Sequence, residues 1–106
     1  MNEWVTVARV EELVPGERRV VGVDDTQIVV CNLDGQYYAI ENVCTHDGGQ
    51  LTGGTVEGDQ IVCPRHGARF CLRTGAALSA PAYEPINTFP VRIENGMVQV
   101  RDSRWD

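Results

Sequence analysis

An all-β fold built from short antiparallel strands is what this 106-residue sequence predicts, on three observations. Runs of β-branched and aromatic residues are brief and recur between turn signals. Asp34-Gly35 and Asn95-Gly96 are dipeptides suited to tight hairpins. No stretch sustains a helical period.

The elements follow in order. Trp4 to Arg9 reads as a first strand, and Glu11 to Val14 could make one helical turn. Val14-Pro15-Gly16-Glu17 is a turn. Arg18 to Val23 and Ile28 to Leu33 are strands flanking Asp24-Asp25. Asp34-Gly35 then reverses the chain into a strand from Gln36 to Glu41. From about Val43 to Pro81 the chain is rich in glycine, which permits positive φ and lets backbone N–H groups approach an anion. Gly58, in Glu57-Gly58-Asp59, is read as an ordinary turn glycine. Phe89 to Glu94, Asn95-Gly96 and Met97 to Arg101 form a closing hairpin.

Chemistry concentrates in the glycine-rich stretch. Cys44-Thr45-His46 is followed, after sixteen residues, by Cys63-Pro64-Arg65-His66. A thiolate is a soft ligand and a neutral imidazole a borderline one. A lone cysteine reads as a small buried hydrophobe, and a lone histidine as a hydrogen-bonded core residue. Here the chain's two histidines both fall beside cysteines, at ligand spacing. Two thiolates and two imidazoles suit a 2Fe–2S cluster with both sulfurs on one iron and both nitrogens on the other. Two ferric ions, two sulfides and two thiolates sum to zero charge, so one added electron leaves the centre singly negative. An all-cysteine centre would be two units more negative in each state. A closed tetrahedral zinc site is the competing use of the same four residues.

The flanking residues carry a family resemblance. Cys44-Thr45-His46-Asp47-Gly48-Gly49 and Cys63-Pro64-Arg65-His66-Gly67 resemble the two cluster-binding loops of Rieske proteins. Pro15-Gly16-Glu17, Tyr38-Ala39-Ile40, Leu51-Thr52-Gly53-Gly54, Phe70 to Gly75 and Pro90-Val91-Arg92-Ile93 extend the likeness over nearly the whole chain. It is similar above all to the small Rieske ferredoxins of bacterial ring-hydroxylating oxygenases. The resemblance implies a Rieske fold: one domain over 1–106, with an antiparallel β-sandwich base at about 1–42 and 82–106. A cluster-binding subdomain would occupy about 43–81, with a stiff loop from Pro81 to Pro85 covering the cluster. It implies one 2Fe–2S cluster on Cys44, His46, Cys63 and His66.

Absences narrow the type. Rieske proteins of cytochrome bc complexes carry a disulfide between their cluster loops, where this chain has Gly49 and Arg65. They also carry a serine and a tyrosine that hydrogen-bond cluster sulfur, where this chain has Ala68 and Phe70. Such hydroxyls raise the potential, so the expected midpoint lies low in the Rieske range, at about −150 mV. The remaining ring nitrogens of the histidines can lose protons, so the midpoint should fall at alkaline pH.

Composition excludes several functions. A net charge of −6 argues against general nucleic-acid binding. No apolar run reaches the roughly 18 residues of a spanning helix. Met1-Asn2-Glu3-Trp4 does not open a secretory leader, so the cytoplasm is the expected address. No G-x-G-x-x-G nucleotide motif is present. Cys31 reads as a buried thiol, and Cys71, near the second loop, has no counterpart in the first. All nine basic residues are arginine. Gln60 to Tyr83 holds Arg65, Arg69 and Arg73 but no acid, so it carries +3 and the remainder −9. Either these arginines steer the cluster end toward an acidic partner, or they pair with carboxylates of the body. The expected function is one-electron transfer, by a monomer that is not itself an enzyme. Its transient partners would be an NAD(P)H-fed flavoprotein reductase and a terminal oxygenase of an aromatic-ring dioxygenase system. A structural zinc module or a redox-sensing accessory protein is the alternative.

Overall fold

Residue 28 to residue 31 is an unbroken apolar run because its strand is covered on both faces. The computed structural model describes residues 3–45, 48–65 and 67–104. Its base holds seven strands: β1 (Val5–Arg9), β2 (Arg18–Val23), β3 (Thr26–Leu33), β4 (Gln36–Glu41), β8 (Thr88–Phe89), β9 (Val91–Glu94) and β10 (Met97–Val100). Between β4 and β8 come β5 (Thr55–Glu57), β6 (Gln60–Val62) and β7 (Arg69–Cys71). All pairings are antiparallel, in three sheets ordered β1-β10-β9, β2-β3-β4-β8 and β5-β6-β7.

Alternate side chains of a strand point to opposite faces. On β3, Ile28 and Val30 pack with Ala39, Phe89, Val98 and Val100, between the two base sheets. Val29 and Cys31 pack the other way, with Ile40, Cys44, Leu51, Cys63 and Phe70. The β2-β3-β4-β8 sheet is therefore a central layer with a core on each side. Fully burying each such Val or Ile contributes about 1.5–3 kcal/mol.

The hairpins turn where the dipeptides predict. Asp24 and Asp25 have φ of 48° and 66°, and Asp34 and Gly35 of 51° and 94°. Two successive positive φ values give the primed turn that matches strand twist. Buried Asn32 holds the β3–β4 end in place. Its Nδ2 donates to the Leu13 carbonyl (2.7 Å) and its Oδ1 accepts from Gly35 N–H (2.8 Å).

Two expectations need correction. The strand expected over Phe89 to Glu94 is two strands, split at Pro90. Proline donates no N–H, and there the chain leaves β4 at Phe89 and joins β10 at Val91. The helical turn is a 3₁₀ turn one residue earlier, Val10–Glu12, where Glu12 Oε1 accepts from Arg9 N–H (3.0 Å). The glycine-rich stretch also carries β5, β6 and β7, three strands that the sequence reading leaves unassigned. Gly58 turns between β5 and β6 at φ 61°, as expected. Among the described residues no helix is long and apolar enough to cross a membrane.

Candidate metal centre

Cys44 and Cys63 are 0% and 1% exposed, and both lie in the core between the central sheet and the β5-β6-β7 sheet. None of the four cysteines is in a disulfide. The two cysteines open loops with the same hydrogen-bonding pattern. Cys44 N–H donates to the Gly49 carbonyl (2.7 Å), and Gly48 N–H donates back to the Cys44 carbonyl (2.7 Å). Cys63 N–H donates to Ala68 (2.7 Å), and Gly67 N–H donates back to Cys63 (3.0 Å). Gly48 and Gly67, each four residues after its cysteine, have φ of 75° and 74°. That backbone region strains any residue with a Cβ, so the glycines are what lets each loop close. The two cysteine turns therefore share one backbone pattern.

His46 and His66, the nitrogen half of the expected ligand set, lie outside the described residues, as does Asp47. Among the described residues no three His, Cys, Asp or Glu side chains gather into another metal site. A pair of buried cysteines on equivalent loops, each loop also carrying a histidine in sequence, fits a two-ended cluster. A closed zinc knuckle would use the same residues without needing two separate ends.

Other residues hold these loops. Thr45 Oγ1 donates to the Glu84 carbonyl (2.7 Å), tying the first loop to the segment between Pro81 and Pro85. Ala82 of that segment is buried in the same core as both cysteines. Arg18 Nη1, on β2, donates to the carbonyls of Thr52 (3.0 Å) and Gly54. These contacts leave no local trace in the sequence, because each joins residues more than thirty positions apart.

The remaining thiols have other surroundings. Burial pushes the Cys31 thiol up to about 11, against a smaller opposing pull from Arg18. Cys71 opens a third turn of the same type: its N–H reaches the Ala76 carbonyl (2.9 Å) and Gly75 N–H reaches its own (2.8 Å). Its neighbour on β7, Phe70, faces the core, so strand alternation turns Cys71 away from Cys44 and Cys63. Partial burial pushes its thiol up, but hydrogen bonds from Thr74 and from the Arg73 and Thr74 backbone outweigh this and leave it below the usual range. Of the three arginines, Arg69 pairs with Glu57 (2.9 Å) and Arg73 with Asp59 (3.4 Å). For these two, pairing with carboxylates replaces the free cationic face that the charge distribution suggested.

The two-loop site on an all-β base defines a class of iron–sulfur protein, and comparison agrees. Residues 3–90 match the Rieske [2Fe-2S] domain, and the chain belongs to that family; its cofactor is one Rieske-type 2Fe–2S cluster. It is 35% identical over 98 residues to the ferredoxin component of a naphthalene 1,2-dioxygenase system from Pseudomonas putida, covering 92% of this chain and 94% of that one. It is 40% identical over 96 residues to the biphenyl dioxygenase ferredoxin subunit of Pseudomonas sp. strain KKS102, covering 90% and 88%. A solved complex of reduced oxygenase and oxidized ferredoxin in carbazole 1,9a-dioxygenase contains a chain that superposes with a TM-score of 0.88 at 36% identity, covering 92% of each.

Proposed function

We propose that this protein is a one-electron carrier, taking electrons from an NAD(P)H-dependent flavoprotein reductase and passing them to the terminal oxygenase of an aromatic-ring dioxygenase system. Cys44 and Cys63 bind one iron in this reading, and His46 and His66 the other. The observation that carries it is the shared backbone pattern of the Cys44 and Cys63 loops, each closing on a glycine, with both cysteines buried in one core. The bound cluster supplies a single reversible electron. The chain's own part is to hold the ligands, exclude water from the sulfur side and limit hydrogen bonding to it. Residues 43–81 act as the cluster-binding unit, and 1–42 with 82–106 as the base. The relatives named above support the oxygenase as the electron's destination. The protein is proposed to work as a cytoplasmic monomer, without catalysing a reaction of its own, through transient contacts of less than about 1,200 Å².

Ala68 and Phe70 are both fully buried in the core with the cysteines and offer no hydroxyl. A midpoint near the low end of the Rieske range, about −150 mV, is therefore expected. The test is purified holoprotein. It should be red-brown, give an anisotropic EPR signal on reduction, titrate as one electron and restore turnover to a reductase and oxygenase lacking their ferredoxin. A clearly positive midpoint would refute the argument from missing hydroxyls. Unchanged cluster spectra in Cys44→Ser or His66→Ala would refute the ligand assignment, and failure to support turnover would refute the role.

A further inference from the structure

The two ligand loops share a pattern but not a foundation. The second, residues 63–68, joins β6 to β7, and the Val62↔Arg69 pair of that ladder closes its base. The first leaves β4 at Glu41 and returns through residues 50–54, which form no strand. No ladder closes it.

Asn42 stands where that ladder would begin. It is 7% exposed, and its own N–H still pairs with β3, donating to the Gln27 carbonyl (2.8 Å). Its Oδ1 accepts from two successive amides across the loop, Leu51 N–H (2.8 Å) and Thr52 N–H (3.1 Å). Its Nδ2 donates to Gln27 Oε1 (3.1 Å), which also accepts from Gln50 Nε2 (3.2 Å). One orientation of the amide satisfies all of these contacts, and the Leu51 and Thr52 N–H groups, which can only donate, fix that orientation. Leu51, fully buried, packs in the same core as Cys44.

We infer that Asn42 is a positioning residue for the cluster: its side-chain oxygen replaces the missing rung of sheet and holds the Cys44–His46 loop at the spacing the Cys63–His66 loop gets from its hairpin. The inference rests on the proposed ligand role of both loops. It also says why a polar residue is buried here. An alanine or leucine would leave Leu51 N–H without an acceptor in a dry setting, and the loop would open to regain hydrogen bonds from water.

The test uses holoprotein, with three readouts: iron loss to a chelator, followed by visible absorbance; the EPR g-values of the reduced state; and hydrogen exchange. Residues that orient metal ligands typically change affinity by about 10–100-fold when removed. Asn42→Ala should lose iron at least about tenfold faster than the parent, with shifted or broadened g-values. Asn42→Asp keeps the acceptor, and Gln27 can turn its amide to face it. That variant should stay within about threefold of the parent and keep its g-values, a margin small against the usual loss on removing such a residue. Equal iron loss in parent and Asn42→Ala, or equal damage in Ala and Asp variants, would overturn the inference. If Asn42→Ala does not accumulate, the parent decides. Its Leu51 and Thr52 amides should exchange far more slowly than that of exposed Gly53, and exchange as fast as Gly53 would overturn the inference. A parent without a cluster would instead defeat the ligand assignment, which is visible before any variant is made.

Discussion

Burial and hydrogen bonding pull one chemical group in opposite directions at Cys31 and Cys71. Cys31, 2% exposed on β3, is held as a neutral thiol up to about 11; the Cys71 thiol, in its glycine turn, ionises more readily than usual. Both effects are testable in the holoprotein. Iodoacetamide at mildly alkaline pH should label Cys71 and spare Cys31, since the thiolate is the nucleophile. Stability gives the second test. The folded Cys31 value lies above the ordinary value of 9.0, so its contribution is intact below pH 9 and is lost as pH rises from 9 through about 11. The rise of the thiol from 9.0 to about 11 limits that loss to at most about 3 kcal/mol. Denaturant midpoints measured at pH 8 and pH 10.5 should therefore fall less in Cys31→Ala than in the parent. Parallel falls would show that this thiol carries no part of the alkaline instability.

At the scale of elements, Gly75 joins two segments that must meet. Its φ is 81°, and its carbonyl accepts from Ile86 N–H (2.9 Å), fixing the chain just beyond Pro85. A Cβ there would collide with the Ile86 carbonyl oxygen, which is backbone and cannot swing away. Gly75→Ala should cost roughly 1–3 kcal/mol and bleach faster in air as the proline segment is pushed off the core. An unchanged melting temperature would show that the backbone relaxes around the methyl. This close approach could not be read from the sequence, where Gly75 is one of many glycines in the stretch. The base strands could be, because Asp34-Gly35 and the Ile28–Cys31 run are local signals. Strands β5, β6 and β7 were hidden for a physical reason. Each has three residues and is held by cross-strand neighbours rather than by its own propensity. The Cys/His spacing pointed to the proposed ligands. Asn42 was not legible, because its acceptors and donors become neighbours only when the loop closes.

For the whole molecule, charge decides how a one-electron carrier meets partners it must soon leave. The distribution of charge along the chain suggested a cationic cluster end, but Arg69 and Arg73 are engaged in holding the fold together. Arg69 binds Glu57 and Gln60, and Arg73 binds Asp59, donates to Tyr38 Oη (2.7 Å) and lies 5.2 Å from that ring. Arg73 thereby joins the β5-β6-β7 layer to the base from one direction, as Arg18 does from the other. Arg65 differs in place. It is exposed and lies between Cys63 and His66 in sequence. Steering depends on net field near the docking surface and weakens within a Debye length of about 10 Å at 0.1 M salt. Charge reversal in Arg65→Glu should therefore slow electron delivery to an acidic-rimmed oxygenase by about tenfold at low salt, with the gap closing as salt rises. Arg69→Gln should change that rate less than about twofold, since Arg69 sits on β7 beside Glu57 and outside the Cys63–His66 segment. Arg73→Gln should lower the melting temperature instead of the rate. Stopped-flow oxidation of the reduced protein across ionic strength separates these outcomes. If Arg65→Glu matched the parent at every salt concentration, encounter would be governed by shape and apolar contact, and the −6 net charge would have no part in choosing the partner.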